Sequence, residues 1–140
     1  MAENKTKPTK ISVAAFLKAK AAGQQLDDSQ ELVKLFKELT GKPAKMWGPS
    51  IVGFDSYHYV YESGREGDAP VIGFSPRKPE MVLYVPRFPG DEAVRASLGK
   101  FKASAGCLYV KRLEDVDLAV LKKLAIKGIA ELRKRYPPKR

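Results

Sequence analysis

One cysteine, one histidine and one tryptophan occur among the 140 residues. A lone Cys107 rules out an internal disulfide, and one Cys with one His falls short of the three or four side chains that hold a protein-bound zinc ion. No phosphate-cradling GxxxxGK[ST] loop is present, and Gly99-Lys100 alone does not substitute for one. These absences together predict no cofactor. Long hydrophobic runs are missing too: none approaches the roughly eighteen residues that cross a bilayer, which predicts no membrane partner. MAENKTKPTK leads into no signal-peptide core, so a cytoplasmic address is expected. Carboxylates are the scarce charge, 16 Asp and Glu against 26 Lys and Arg, a formal net charge of +10. Such an excess favours anionic partners through the summed field of the molecule.

What is present reads as one α+β domain over residues 11–136, after a flexible basic N-terminus (1–10) and before a short basic tail (137–140). Ser12 is an expected N-cap for a short helix carrying Val13, Phe16 and Leu17 on one face, with Gly23 closing it. A second helix, capped by Asp27, Asp28 or Ser29, repeats Leu32, Leu35, Phe36 and Leu39 at helical spacing and stops at Gly41 and Pro43. From Met46 to Val85 the apolar period shortens to two, as in strands. Ile51–Phe54, Tyr57–Tyr61, Val71–Phe74, Met81–Val85 and Cys107–Val110 are the expected strands, forming an antiparallel sheet of about five. In this reading the loop 63–68 reverses the chain so that Val71–Phe74 pairs back on the preceding strand. Asp91–Leu98 reads as a short helix. A long C-terminal helix, capped by Asp115 or Asp117, carries the stripe Leu121, Leu124, Ala125, Gly128, Ile129, Leu132 and Tyr136 and ends at Pro137-Pro138.

The motifs Trp47-Gly48, Val52-Gly53-Phe54, Tyr59 with Tyr61-Glu62-Ser63-Gly64-Arg65, Gly73-Phe74-Ser75-Pro76-Arg77-Lys78, Gly99-Lys100-Phe101-Lys102 and Cys107-Leu108-Tyr109-Val110-Lys111-Arg112 run through most of the chain. In these the chain resembles the YdhG-like family of small bacterial proteins. The resemblance implies a compact α+β fold, an antiparallel sheet with helices packed on it, and no established reaction or ligand. One branch of that family is described as frataxin-like, with a proposed role in iron delivery. Iron handling of that kind asks for an exposed acidic ridge of hard oxygen ligands, whereas the first helical segment here, Ser12 to Gln25, has no carboxylate at all.

Catalysis by a nucleophile beside a base has only His58 and Cys107 to draw on, and the chain reads as a binding module more than as an enzyme. Cys107 is expected to be a small buried residue, and His58 a sheet histidine whose nitrogens are satisfied by backbone or carboxylate. The remaining constellation is one for anions. Pro76 and Pro79 stiffen a loop holding Arg77 and Lys78 outward, and Lys100 and Lys102 precede the last strand. Arg65 lies in another loop, with Tyr57, Tyr59, Tyr61 and Trp47 as candidate walls. Arginine grips carboxylate or phosphate with two parallel hydrogen bonds and lysine adds a point charge. The expected ligand is a small anion or an acidic protein surface, with Arg77 and Lys78 converging on Lys100 or Lys102. A second reading places nucleic acid along the C-terminal helix, where Lys122, Lys123, Lys127 and Arg133 to Arg135 cluster.

Overall fold

The computed structural model describes residues 8–60, 62–78, 80–104 and 107–136. Tyr61, Pro79 and the expected tail at 137–140 lie outside the described residues, as does most of the expected flexible N-terminus. A strand precedes Ile11, where the sequence reading starts the domain: β1 (Pro8–Thr9) pairs with β2 (Ala44–Trp47), Pro8 opposite Trp47 and Thr9 opposite Met46.

Two helices follow β1. In α1 (Val13–Lys20) the Ser12 hydroxyl accepts from the Ala15 N–H at 3.2 Å, as an N-cap should, and Phe16 and Leu17 are buried. Ala21, not Gly23, closes this helix. Gly23, at φ 55°, is instead the first residue of α2 (Gly23–Thr40), which starts a turn before the expected caps. Asp28 is therefore inside α2 and buried, where its carboxylate accepts from Gln24 Nε2 at 2.7 Å and from the Leu113 N–H at 3.1 Å. Gly41 ends α2 in the left-handed region at φ 70°, with its N–H on the Lys37 carbonyl.

Seven antiparallel strands form the main sheet in the order β1-β2-β3-β6-β7-β9-β8, with β3 (Ile51–Phe54), β6 (Ile72–Ser75), β7 (Met81–Tyr84), β8 (Lys102–Ser104) and β9 (Cys107–Val110). Register divides the sheet into two faces. Met46, Val52, Phe74, Leu83 and Leu108 are successive cross-strand partners, and all are buried beneath α1, α2 and α4 (Leu118–Arg135). Phe36 of α2 meets Phe54 and Phe74 edge-on, with ring centroids 5.7 and 6.4 Å apart. Leu121, Leu124, Ala125 and Ile129 of α4 complete this core, so helices cover one side of the sheet. Asp117, not Asp115, caps α4 by accepting from the Ala119 and Val120 N–H groups.

The opposite face carries Lys102, Tyr109, Val82 and Ser75 as one row, and Tyr84, Gly73, Gly53 and Lys45 as the next. Its centre is closed by its own side chains. A Cβ on Gly53 would sit 2.4 Å from Trp47 Cδ1 and 2.7 Å from Pro70 Cβ, so the missing side chain makes room for the buried indole.

Tyr57–Val60 departs from expectation. As β4 it pairs with β5 (Glu66–Ala69) in a separate two-stranded ribbon, while β6 pairs with β3. Val71 is therefore not the start of a strand paired back on the tyrosines: the reversal is completed by β5, and β6 returns to the main sheet. Tyr57 packs on Tyr136 at 5.0 Å between centroids, and Asp55 accepts from Arg133 at 3.0 Å, so the ribbon's base is fastened to the end of α4. α3 is shorter than expected, Asp91–Arg95.

Candidate functional site

Gly99 sets up the site. It sits at φ 122°, and a Cβ there would fall 2.4 Å from the Asp115 carbonyl oxygen, an approach no other residue type permits. That proximity lets the Lys100 N–H donate to the Asp115 carbonyl at 2.9 Å and the Asp117 N–H to the Leu98 carbonyl at 2.7 Å. The chain is thus anchored on both sides of Gly99 before Phe101 leads into β8. Pairing of β8 with β9 places Lys102 opposite Tyr109 and Ser104 opposite Cys107. The Ser104 and Tyr109 hydroxyls are 3.0 Å apart, which holds the phenol in place.

These constraints shape a cleft of about 380 Å³ lined by Glu80, Gly99, Lys100, Phe101, Lys102, Tyr109, Lys111 and Asp115. Two other clefts, of about 220 and 280 Å³, are each lined by two cations where the lysine cleft has three. In the first, Lys42 and Lys45 stand beside Asp55; in the second, Arg87 and Arg135 are already paired with Asp91 and Glu131. The lysine cleft also contains two carboxylates, Glu80 and Asp115. Glu80 lies 4.0 Å from Lys102 Nζ, and Asp115 lies 3.8 Å from Arg112, which also holds Glu114 at 3.2 Å. Lys100 and Lys111 have no carboxylate partner among the described residues, and both are exposed. An anion entering the cleft therefore meets Lys100 and Lys111 without a carboxylate partner among the described residues, beside Lys102, whose ion pair is the 4.0 Å one to Glu80.

Of the residues expected to gather, Lys100 and Lys102 do so. Arg77 and Lys78 do not line this cleft. Both are exposed, but the Arg77 guanidinium turns back onto the sheet, its Nε donating to Ser75 Oγ at 3.2 Å and its NH2 reaching Tyr84 Oη at 3.4 Å. The Arg77 carbonyl accepts from Gln25 Nε2 at 2.8 Å, tying the proline-flanked turn to α2. Burial pushes the Tyr84 phenol above its ordinary pKa, against the opposing pull of Arg77. Arg65 belongs to the loop of the β4–β5 ribbon, and Tyr59, 6.3 Å from Tyr57, stands on the ribbon too; neither borders the cleft. Trp47 is a buried element of the sheet.

Lys111 was not among the expected site residues. Its signal lay in the spacing of Lys100-Phe101-Lys102 and Tyr109-Val110-Lys111: once these segments are a hairpin with Lys102 opposite Tyr109, Lys111 falls alongside Lys100.

Both nitrogens of His58 lie against carboxylates, Nδ1 at 2.9 Å from Asp68 and Nε2 at 3.0 Å from Glu66, which is the satisfied sheet histidine that its position suggested. Cys107 is half-buried and not enclosed as expected. His58 and Cys107 stand on different sheets and make no contact, so they form no nucleophile–base pair. Among the described residues no group of three or more His, Cys, Asp or Glu side chains is placed to hold a metal ion, and no helix is long and apolar enough to cross a membrane.

No family model, curated protein or solved structure matches the chain.

Proposed function

We propose that this protein is a non-enzymatic binding module for a small anionic ligand, held in the cleft by Lys100, Lys102 and Lys111. One observation carries the reading: three lysines from two paired segments border one cleft, two of them without a carboxylate partner among the described residues. A cleft of about 380 Å³ is within the range of roughly 300–1,000 Å³ usual for small-molecule sites. The net charge of +10 supports it by raising the local concentration of anions at the surface. We place the chain in the YdhG-like family on its motifs, and that membership supplies no reaction.

Thermal-shift and calorimetric titration with inorganic phosphate and ribose 5-phosphate test the proposal. Binding should be lost in the Lys100→Ala, Lys102→Ala, Lys111→Ala triple variant and retained in Arg77→Ala with Lys78→Ala. Anion binding that survives the triple variant would remove the cleft from consideration. If instead it vanished only with Arg77 and Lys78, the site would move to the proline-flanked turn.

A second reading is favoured by the outer face of α4. Lys122, Lys123, Lys127 and Lys134 are exposed there and none has an ion-pair partner among the described residues; Lys127 instead lies over the Phe88 ring at 6.0 Å. Nucleic acid drawn to that face should dissociate steeply as salt rises, because neutralised phosphates release their counterions. A flat salt response, or no retention on DNA or RNA at low ionic strength, would dispose of this alternative. An iron-delivery role would need an acidic ridge, and α1 carries no carboxylate.

A further inference from the structure

The three lysines account for attraction of an anion but leave other features of the same cleft unused. Phe101 and Tyr109 are part of its lining, two flat side chains within the reach of whatever the lysines hold. Tyr109 is kept in position by the 3.0 Å contact between its hydroxyl and that of Ser104, so a surface for a planar group exists before any ligand arrives.

Glu80 is the third feature. Its side chain is 17% exposed, and its nearest cation, Lys102 Nζ, is 4.0 Å away, longer than a hydrogen bond. The carboxylate therefore retains acceptor capacity and would repel a ligand that is anionic throughout, such as a polyphosphate or citrate. A ligand with its charge at one end and hydrogen-bond donors elsewhere meets lysines and carboxylate without conflict. A flat ring joining the two kinds of group uses the aromatic lining as well.

We infer that the cleft takes a nucleoside monophosphate, with the phosphate on Lys100, Lys102 and Lys111, the base against Phe101 and Tyr109, and sugar hydroxyls or an exocyclic amine donating to Glu80. This inference rests on the anion-binding reading and names its ligand. Stacking of one base on an aromatic side chain strengthens binding by roughly 5- to 150-fold. The same base-and-phosphate unit also occurs at each position of a single strand. The lysine face of α4 is not part of this cleft's lining, so nothing here continues the track along a strand.

The test is calorimetric titration of the full chain at low ionic strength with inorganic phosphate, ribose 5-phosphate, AMP, adenosine and a short single-stranded oligoadenylate. AMP should bind at least about tenfold more tightly than ribose 5-phosphate. Phe101→Leu and Tyr109→Leu should each shrink that gain, read within each variant as the ratio of AMP affinity to ribose 5-phosphate affinity. Because Phe101 also packs against the core, two measurements avoid touching it. The base protons of AMP should move upfield in NMR on binding to the wild-type chain, and the exposed pair Lys100→Gln with Lys111→Gln should weaken AMP at least tenfold. Equal affinity for phosphate and AMP, with no ring-current shift, overturns the nucleotide inference and leaves the anion-binding reading standing. Absence of binding by every ligand overturns both. An oligoadenylate that binds more tightly per nucleotide than AMP overturns the free nucleotide as the source in favour of a single strand.

Discussion

Gly128 lies in the interior of α4, where propensity alone says that alanine should be better by about 1 kcal/mol. The structure reverses the sign. A Cβ at this position would stand 2.1 Å from the Pro86 carbonyl oxygen, 3.0 Å from its carbon and 3.3 Å from Pro86 Cβ. A carbon and an oxygen ordinarily approach no closer than about 3.3 Å, so helix and loop must part by about 1 Å. Neither side yields easily. Pro86 has a fixed φ and directly follows the buried Val85, and the next residue, Arg87, is held by two hydrogen bonds to the buried Asp91 at 2.8 and 2.9 Å. On the helix side, Leu124, Ala125 and Ile129 are packed in the core and would be drawn out with the backbone. Overpacking of this sort costs about 1–3 kcal/mol and occasionally more, and here the obstacle is backbone, so the upper end applies. After the gain in propensity the net expectation for Gly128→Ala is a loss of about 2 kcal/mol, a fall in Tm of about 6–8 °C for a chain of this size. Urea titration at neutral pH measures it, with a lower midpoint and an unchanged slope. Ala130→Gly, on the exposed side of the same helix, is the control and should lose about 1 kcal/mol from propensity alone. If Gly128→Ala proves as stable as wild type or more so, the close packing of α4 on the Pro86 loop is wrong.

Asp91 is 1% exposed and serves two arginines, the bidentate Arg87 and Arg95, whose Nε is 3.4 Å away and which is itself 7% exposed. Asp91→Ala should cost about 3–5 kcal/mol in denaturant titration, because it leaves the Arg95 guanidinium buried without its counter-charge; a loss below about 1 kcal/mol would refute the network. The hydrogen bonds from Arg87 hold the Asp91 carboxyl below its ordinary pKa of 3.8, so its contribution is complete above that value and is lost as pH falls through the lowered one. Wild-type stability should therefore decline in acid below about pH 4 more steeply than that of Asp91→Ala. Tyr84 has the opposite sign. Burial raises its phenol above 10.0, so its stabilising contribution is present below that pH and lost as pH rises past it. Titration of phenolate absorbance should show a late-ionising tyrosine that Tyr84→Phe removes and that Arg77→Gln shifts later still; an unchanged profile in Tyr84→Phe would refute the assignment.

The two long helices were legible because each depends mainly on local rules. The stripe through Leu121, Leu124, Ala125 and Ile129 and the left-handed Gly41 follow from helix geometry, and the core sits where that stripe points. The α+β class followed from the change of period after Met46. Strand partners were less legible, because pairing is a tertiary choice. Glu66-Gly67-Asp68-Ala69 has the composition of a turn, yet it forms β5, with Asp68 and Glu66 both engaging His58 across the ribbon. Once β5 takes Tyr57–Val60 as its partner, β6 is left to pair with β3, and Tyr57 and Tyr59 leave the main sheet. The edges β1 and β8, with two and three residues, are too short for any period to be seen.

The candidate site divides along the same line. A lysine's charge can be read from sequence; the direction of its side chain and the identity of its neighbours cannot. Arg77 and Lys78 stood out because the flanking prolines restrict the turn, but Ser75 and Tyr84 present Arg77 with two hydroxyls on the sheet face, and it turns towards them. Lys111 had no such local marker and reaches the cleft only because the β8–β9 register brings it beside Lys100. Gly99 links the two levels. Its approach to the Asp115 carbonyl, too close for any side chain, joins the start of the β8–β9 hairpin to the entry of α4 and so helps to place the lysines around it. A cation cluster assembled this way is fixed by the fold of the chain behind it, which is why its specificity has to be sought in what accompanies the lysines, namely Phe101, Tyr109 and Glu80.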